Sequence, residues 1–155
     1  MDKIKYNLGF TLIELMIVVA IVSILASVAY PSYQNHIMKT NRTDAMANML
    51  ELSSRLERLY TESGNYGAAD TASLAFDTSP NDGGAVRYNF TMVPAGGTAA
   101  ARTSYTLIAT PTSIQDDTTC GALRITSTGD KCVTNSGLKC LSGNSADRTA
   151  VNACW

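Results

Sequence analysis

The sequence predicts an α+β fold: a long N-terminal α-helix packed on an antiparallel β-sheet of about four strands, with a disulfide-bounded C-terminal region. Three observations carry this. Phe10–Tyr30 is an apolar run with a single charge, Glu14. From Met46 to Tyr60 the apolar residues recur mostly at spacings of three, four or their sums. Beyond Tyr66 the pattern changes to short alternating runs, and all four cysteines fall between Cys120 and Cys154.

The 155 residues fit one domain with an appendage, and a formal net charge of −1 excludes a generic polyanion binder. A single histidine, His36, excludes a multi-His metal site and is read as a surface residue. No nucleophile–base set, phosphate loop or metal cluster is present, and Gly83-Gly84 and Gly96-Gly97 read as turns. The expectation is therefore no enzyme activity, no cofactor and no metal.

The helix comes first. The twenty-one positions from Phe10 to Tyr30 span roughly 31 Å as a helix, matching a hydrocarbon core of about 30 Å. Lys3 and Lys5 precede them, so the positive-inside rule keeps the N-terminus cytoplasmic and exports the rest, giving the cysteines an oxidising compartment. A secretory signal cleaved near Ser27-Val28-Ala29 is the alternative. The apolar run exceeds the usual h-region of about 7–15 residues, and a carboxylate inside it argues for a function rather than disposal. Pro31 ends the purely apolar stretch. Met46, Met49, Leu50, Leu56, Leu59 and Tyr60 then form one apolar stripe, and Gly64 and Gly67 stop a helix running from about Phe10 to Ser63. Glu51 and Arg55, four residues apart, belong to its solvated face.

In the remainder, Ala68–Ala85 reads as a long loop with a turn at Pro80–Gly84. Tyr88, Phe90 and Met92 alternate with polar residues as a first strand, and Pro94–Gly97 starts a flexible connection. Ser104–Thr110, with Tyr105, Leu107 and Ala109 on one face, is the second strand; Cys120–Thr126, with Leu123 and Ile125 inward, is the third. Ser127–Asp130 turns the chain, and Lys131–Thr134 returns as a short fourth strand. Tight connections favour an antiparallel meander, and the helix stripe supplies its cover.

Gly9-Phe10-Thr11-Leu12-Ile13-Glu14-Leu15, after a short basic leader and before an apolar helix, resembles the N-terminus of type IV prepilins. The resemblance implies a leader of residues 1–9 removed between Gly9 and Phe10 by a prepilin peptidase that N-methylates Phe10. It implies an apolar membrane and filament-core helix over 10–38, and a head over 39–155 with its cysteine region at 120–154. Glu14 is then the assembly residue, pairing with the Phe10 amine of a neighbouring subunit. An unpaired carboxylate buried in a helix bundle would be uncompensated. Four cysteines allow three connectivities. A turn near Thr128 offsets Cys120 from Cys132 by several residues, too far for a Cβ separation of about 3.5–4.5 Å. We favour the nested pairs Cys120–Cys154 and Cys132–Cys140, the outer one resembling the bridge that bounds the C-terminal region of many pilins.

Arg42-Thr43-Asp44-Ala45, Leu56-Glu57-Arg58-Leu59-Tyr60, Gly64-Asn65-Tyr66, Cys120-Gly121-Ala122-Leu123 and Cys154-Trp155 resemble the minor-pilin branch called PilE. The implied function is that of a structural subunit of a bacterial type IV pilus, a minor pilin serving assembly, twitching motility and adhesion. Its implied partners are other pilins, the peptidase and the inner membrane. Its head would be periplasmic before assembly and extracellular in the pilus afterwards. A major pilin and a DNA-binding competence pilin are the alternatives. Type II secretion pseudopilins rank lower, because they typically lack the C-terminal disulfide. DNA contact would require a basic track. Lys131, Lys139 and Arg148 are its candidates, although residues 60–155 carry six Lys and Arg against eight Asp and Glu.

Overall fold

The computed structural model describes residues 10–68, 76–98 and 101–155. The leader, with Gly9, Lys3 and Lys5, lies outside them. The chain divides into two units, Met1–Ile37 and Met38–Trp155, although one helix, α1 (Leu12–Ser63), contributes to both.

In the first unit α1 carries the apolar run with every residue from Phe10 to His36 exposed. Thr11 caps it, its hydroxyl accepting from the Glu14 amide at 3.3 Å. Ser23 and Ser27 donate to the carbonyls of Val19 and Ile24, so their hydroxyls need no outside partner. Pro31 lies inside α1, and the helix continues past it.

In the second unit α1 buries Arg42, Ala45, Met49, Leu52 and Leu56, a strict three-four-three-four spacing that places all five on one face. The stripe differs in part from that expected. Leu50 is 49% exposed, because it follows Met49 by one residue and turns off this face, and Leu59, the next position in the spacing, is still 37% exposed near the end of α1. The stripe covers a six-stranded antiparallel meander: β1 (Thr78–Ser79), β2 (Tyr88–Ala95), β3 (Ser104–Pro111), β4 (Leu123–Thr126), β5 (Lys131–Val133) and β6 (Lys139–Cys140). Two strands more than expected are present, β1 and β6, each two residues long and too short for alternation to register. Strand β2 also continues through Pro94 and Ala95, where a flexible connection was expected. A final helix, α2 (Ser145–Cys154), closes the chain; Asn144 caps it by accepting from the Asp147 amide at 3.0 Å.

Register fixes which side chains enter the core. Met92 pairs with Leu107 and Leu107 with Ile125; Phe90 pairs with Ala109 and Ala109 with Leu123, then Val133. These, with Tyr88, Tyr105 and the α1 stripe, form one buried cluster joined by Val151 and Cys154 of α2. At one end Tyr60 stacks on Tyr66 with ring centroids 4.4 Å apart, and Tyr66 meets Tyr105 edge to face at 4.9 Å. The Tyr66 hydroxyl donates to Glu57, and that of Tyr105 is 2.7 Å from the Ser53 hydroxyl.

Candidate functional site: the assembly helix and the cysteine-bounded region

At the N-terminal end, Phe10 is 87% exposed and Glu14 stands in the first turn of α1. Thr11-Leu12-Ile13-Glu14 has the form of a capping box, with Glu14 at its third helical position. A carboxylate here favours the positive end of the helix dipole. Glu14 thus has a local role in starting the helix, separate from any pairing with a neighbour.

At the other end, Cys120 is bonded to Cys154 and Cys132 to Cys140, with Cα separations of 5.8 and 4.0 Å. The inner pair lies directly across the β5–β6 ladder. The outer pair fastens α2 to the turn before β4. Gly121, next to it, has φ +64°, and a Cβ there would stand 2.9 Å from the Asn135 amide, so the close approach of the 134–135 strand end requires glycine.

The structure adds a set of residues that sequence reasoning missed. Arg42 of α1 grips Asp117 with both prongs of its guanidinium, Nε and Nη2 donating to the two carboxylate oxygens at 2.7 and 2.9 Å. Both residues are buried. The Tyr88 hydroxyl donates to the same carboxylate at 2.9 Å and the Cys120 amide at 3.1 Å. Gln115 donates to the Met38 carbonyl at 2.9 Å and accepts from Asn41. Burial pushes the Asp117 carboxyl up; the bonds from Arg42, Cys120 and Tyr88 outweigh it and hold it below the usual range. Burial and the adjacent carboxylate both push the Tyr88 hydroxyl up. The amide of a disulfide cysteine is therefore oriented by a charge pair rooted in α1. A signal existed: Arg42 falls in phase with the buried stripe, three residues before Ala45 and seven before Met49.

The three candidate cations stand on elements that pack together. Lys131 and Lys139 are on β5 and β6, and α2, which carries the exposed Arg148, packs on both strands. Lys131 is partly committed, its Nζ lying 4.9 Å from the Trp155 ring centre, while the indole N–H donates to the Cys132 carbonyl. The cluster Asp130, Cys132 and Cys140 is no metal site: both sulfurs are in a disulfide, and the Asp130 carboxylate accepts from Ser142.

A motif model described as "Prokaryotic N-terminal methylation motif" matches residues 4–30. A second model, described as "Type IV minor pilin ComP, DNA uptake sequence receptor", matches residues 31–124, well over half of the chain. A fimbrial protein of Pseudomonas aeruginosa is 47% identical over 58 residues, 37% of this chain and 38% of that protein. The prepilin peptidase-dependent protein D of Escherichia coli K12 is 37% identical over 73 residues, 47% of this chain and 48% of that protein. The chain thus spans less than half the length of these two relatives. The non-core minor pilin PilV of Neisseria meningitidis shares the fold, with a TM-score of 0.51 at 17% identity, over 70% of this chain and 98% of that structure. A long N-terminal helix, an antiparallel meander and a disulfide-closed C-terminal region together define a type IV pilin. Through the match over residues 31–124 the chain belongs to the type IV minor pilin family described as ComP.

Proposed function

We propose that this chain is a minor subunit of a type IV pilus that polymerises through its N-terminal helix. The observation that carries the reading is an apolar helix segment with every described side chain exposed, headed by a methylation motif. So much exposed apolar surface needs a bilayer or neighbouring helices. In this reading a prepilin peptidase cuts between Gly9 and Phe10 and N-methylates Phe10. The subunit waits in the inner membrane with its head in the periplasm, and then enters the extracellular filament. Glu14 pairs with the Phe10 amine of a neighbour, and pilus assembly, twitching motility and adhesion follow from incorporation. Intact mass of the membrane protein tests processing: a chain beginning at Phe10 is expected, and one beginning after Ala29 would restore the secretory alternative. Glu14→Val should then insert normally but be depleted from sheared pili; wild-type incorporation refutes the assembly role.

The description of the matched family supports a second reading, in which the head binds DNA. Lys131, Lys139 and Arg148, on packed elements, are its contact residues. Removing all three should shallow the salt slope of duplex binding by about three units or fewer. Weak, salt-insensitive binding of the intact chain in a gel-shift titration would leave only the structural role.

A further inference from the structure

Arg124 Nε is a buried side-chain nitrogen with no hydrogen-bond partner, and its guanidinium makes no ion pair among the described residues. A sealed N–H without an acceptor is costly, and native proteins keep few of them. Alternation places the side chain. Leu123 and Ile125 on either side of it are buried on the α1 face, so Arg124 belongs to the opposite face of the sheet. In register it lies between Ile108 of β3 and Cys132 of β5, whose disulfide to Cys140 continues the row. Val151 of α2 joins the α1 stripe in the core, so both helices serve the other face and neither covers this one.

The surroundings of Arg124 are neutral and rich in hydroxyls. Thr106 and Thr110 flank Ile108 on the same face, and Thr91 is the partner of Ile108 on β2. These three hydroxyls make no hydrogen bond among the described residues. At a strand spacing of about 4.8 Å all three lie within about 10 Å of Arg124. Of the side chains that β2 to β6 turn to this face, Arg124 alone is charged; Lys131 and Lys139 alternate to the other side. One cation cannot hold a track of phosphates. It suits a single carboxylate, which a guanidinium grips with two parallel bonds. Asp130 does not fill that place, because its carboxylate accepts from Ser142. Among these strand residues Val93 is the one large apolar side chain that is strongly exposed, so the face lacks the apolar anchor of a typical protein contact.

We propose that this face binds a saccharide whose carboxylates are separated by neutral sugars, one carboxylate seated on Arg124 and ring hydroxyls on Thr91, Thr106 and Thr110. Sugar hydroxyls donate and accept as threonine hydroxyls do, so each side can satisfy the other. The proposal rests on the filament reading, in which helices fill the core and the face turned away from α1 meets the medium, and it gives adhesion a ligand class.

The test titrates the full chain in detergent with a hyaluronan tetrasaccharide, followed by calorimetry and by the Nε–H signals of isotope-labelled arginines. Saturable binding that moves the Arg124 signal is expected. The carboxyl methyl ester of the same tetrasaccharide keeps the ring hydroxyls and loses the charge. It should bind about tenfold more weakly or worse, the scale of a charged hydrogen bond. Arg124→Gln should lose affinity for the acid by a similar factor and bind acid and ester alike. Arg124→Lys, which keeps the charge without the fork, should fall between. Equal affinity of the unaltered chain for acid and ester, or an unmoved Arg124 signal, overturns the site, and neither comparison needs a variant to fold. Equal or tighter binding of tetraglutamate assigns the face to an acidic protein segment and overturns the saccharide. Recovery of the unaltered chain from sheared pili is measured separately: its absence there overturns the filament reading, whereas a chain that enters pili and fails the titration overturns only the saccharide site.

Discussion

Arg42 and Asp117 are 75 residues apart in sequence, and no local pattern announces their pairing. Alternating and helical periodicities report one face of one element, whereas a partner across the fold is set by how a loop is laid down. What was legible is Arg42 alone, a charge in phase with Ala45, Met49, Leu52 and Leu56. Arg42→Met should cost about 3–5 kcal/mol, because it leaves the Asp117 carboxylate buried without its cation. Urea unfolding of the chain in detergent would show this. Arg42→Met with Asp117→Leu should recover much of the loss, since no lone charge remains. The same pair contributes to the acid response. The Asp117 carboxyl is held below its ordinary value, so its contribution is complete above about pH 4 and is lost as the pH falls through its lower folded value. The double variant should lack that part of the acid limb. Tyr88 has the opposite sign. Its raised hydroxyl contributes below about pH 10 and loses that contribution in stronger alkali.

At the level of elements, long and strongly periodic segments were readable and short ones were not. The inward residues of β2, β3 and β4 follow strict alternation and match the buried positions. Strands β1 and β6 exist only because β2 and β5 present ladders to them, and two residues cannot show a period. Helix α2 was missed although Asn144 begins it, since only Val151 and Cys154 of its ten residues are buried and no stripe stands out. Asn144→Ala should destabilise α2 by about 1 kcal/mol, seen as faster amide exchange at Arg148–Val151. The proposed pairing of Glu14 with a neighbour can be separated from its place in the first turn of α1. Glutamine at its position keeps the capping form and loses the charge. Glu14→Gln should therefore leave helicity unchanged by circular dichroism while lowering recovery in pili, as Glu14→Val does. Equal recovery for Glu14→Gln and the wild type would leave Glu14 only its role in starting the helix.

For the whole molecule, α+β architecture and the division between an apolar helix and a head follow from composition, because burial must be arranged differently in the two parts. The connections that fasten the C-terminal region to α1 do not. They run from Arg42 through Asp117 to the Cys120 amide, across the disulfide to Cys154, and from Trp155 to the carbonyl of Cys132. Replacing both Cys120 and Cys154 by serine should cost about 2–5 kcal/mol and lower the unfolding midpoint of the chain. The same route governs what tension does. The bonds that hold α1 run over Met38, Asn41 and Arg42 to Gln115 and Asp117, beside the loop that carries Cys120, and the chain between Cys120 and Cys154 cannot be drawn out however far the sheet unravels. With a sequence separation of 34, that locks away about 115 Å of contour length. The molecule is therefore a tether of limited stretch, and a reducing agent would lengthen it.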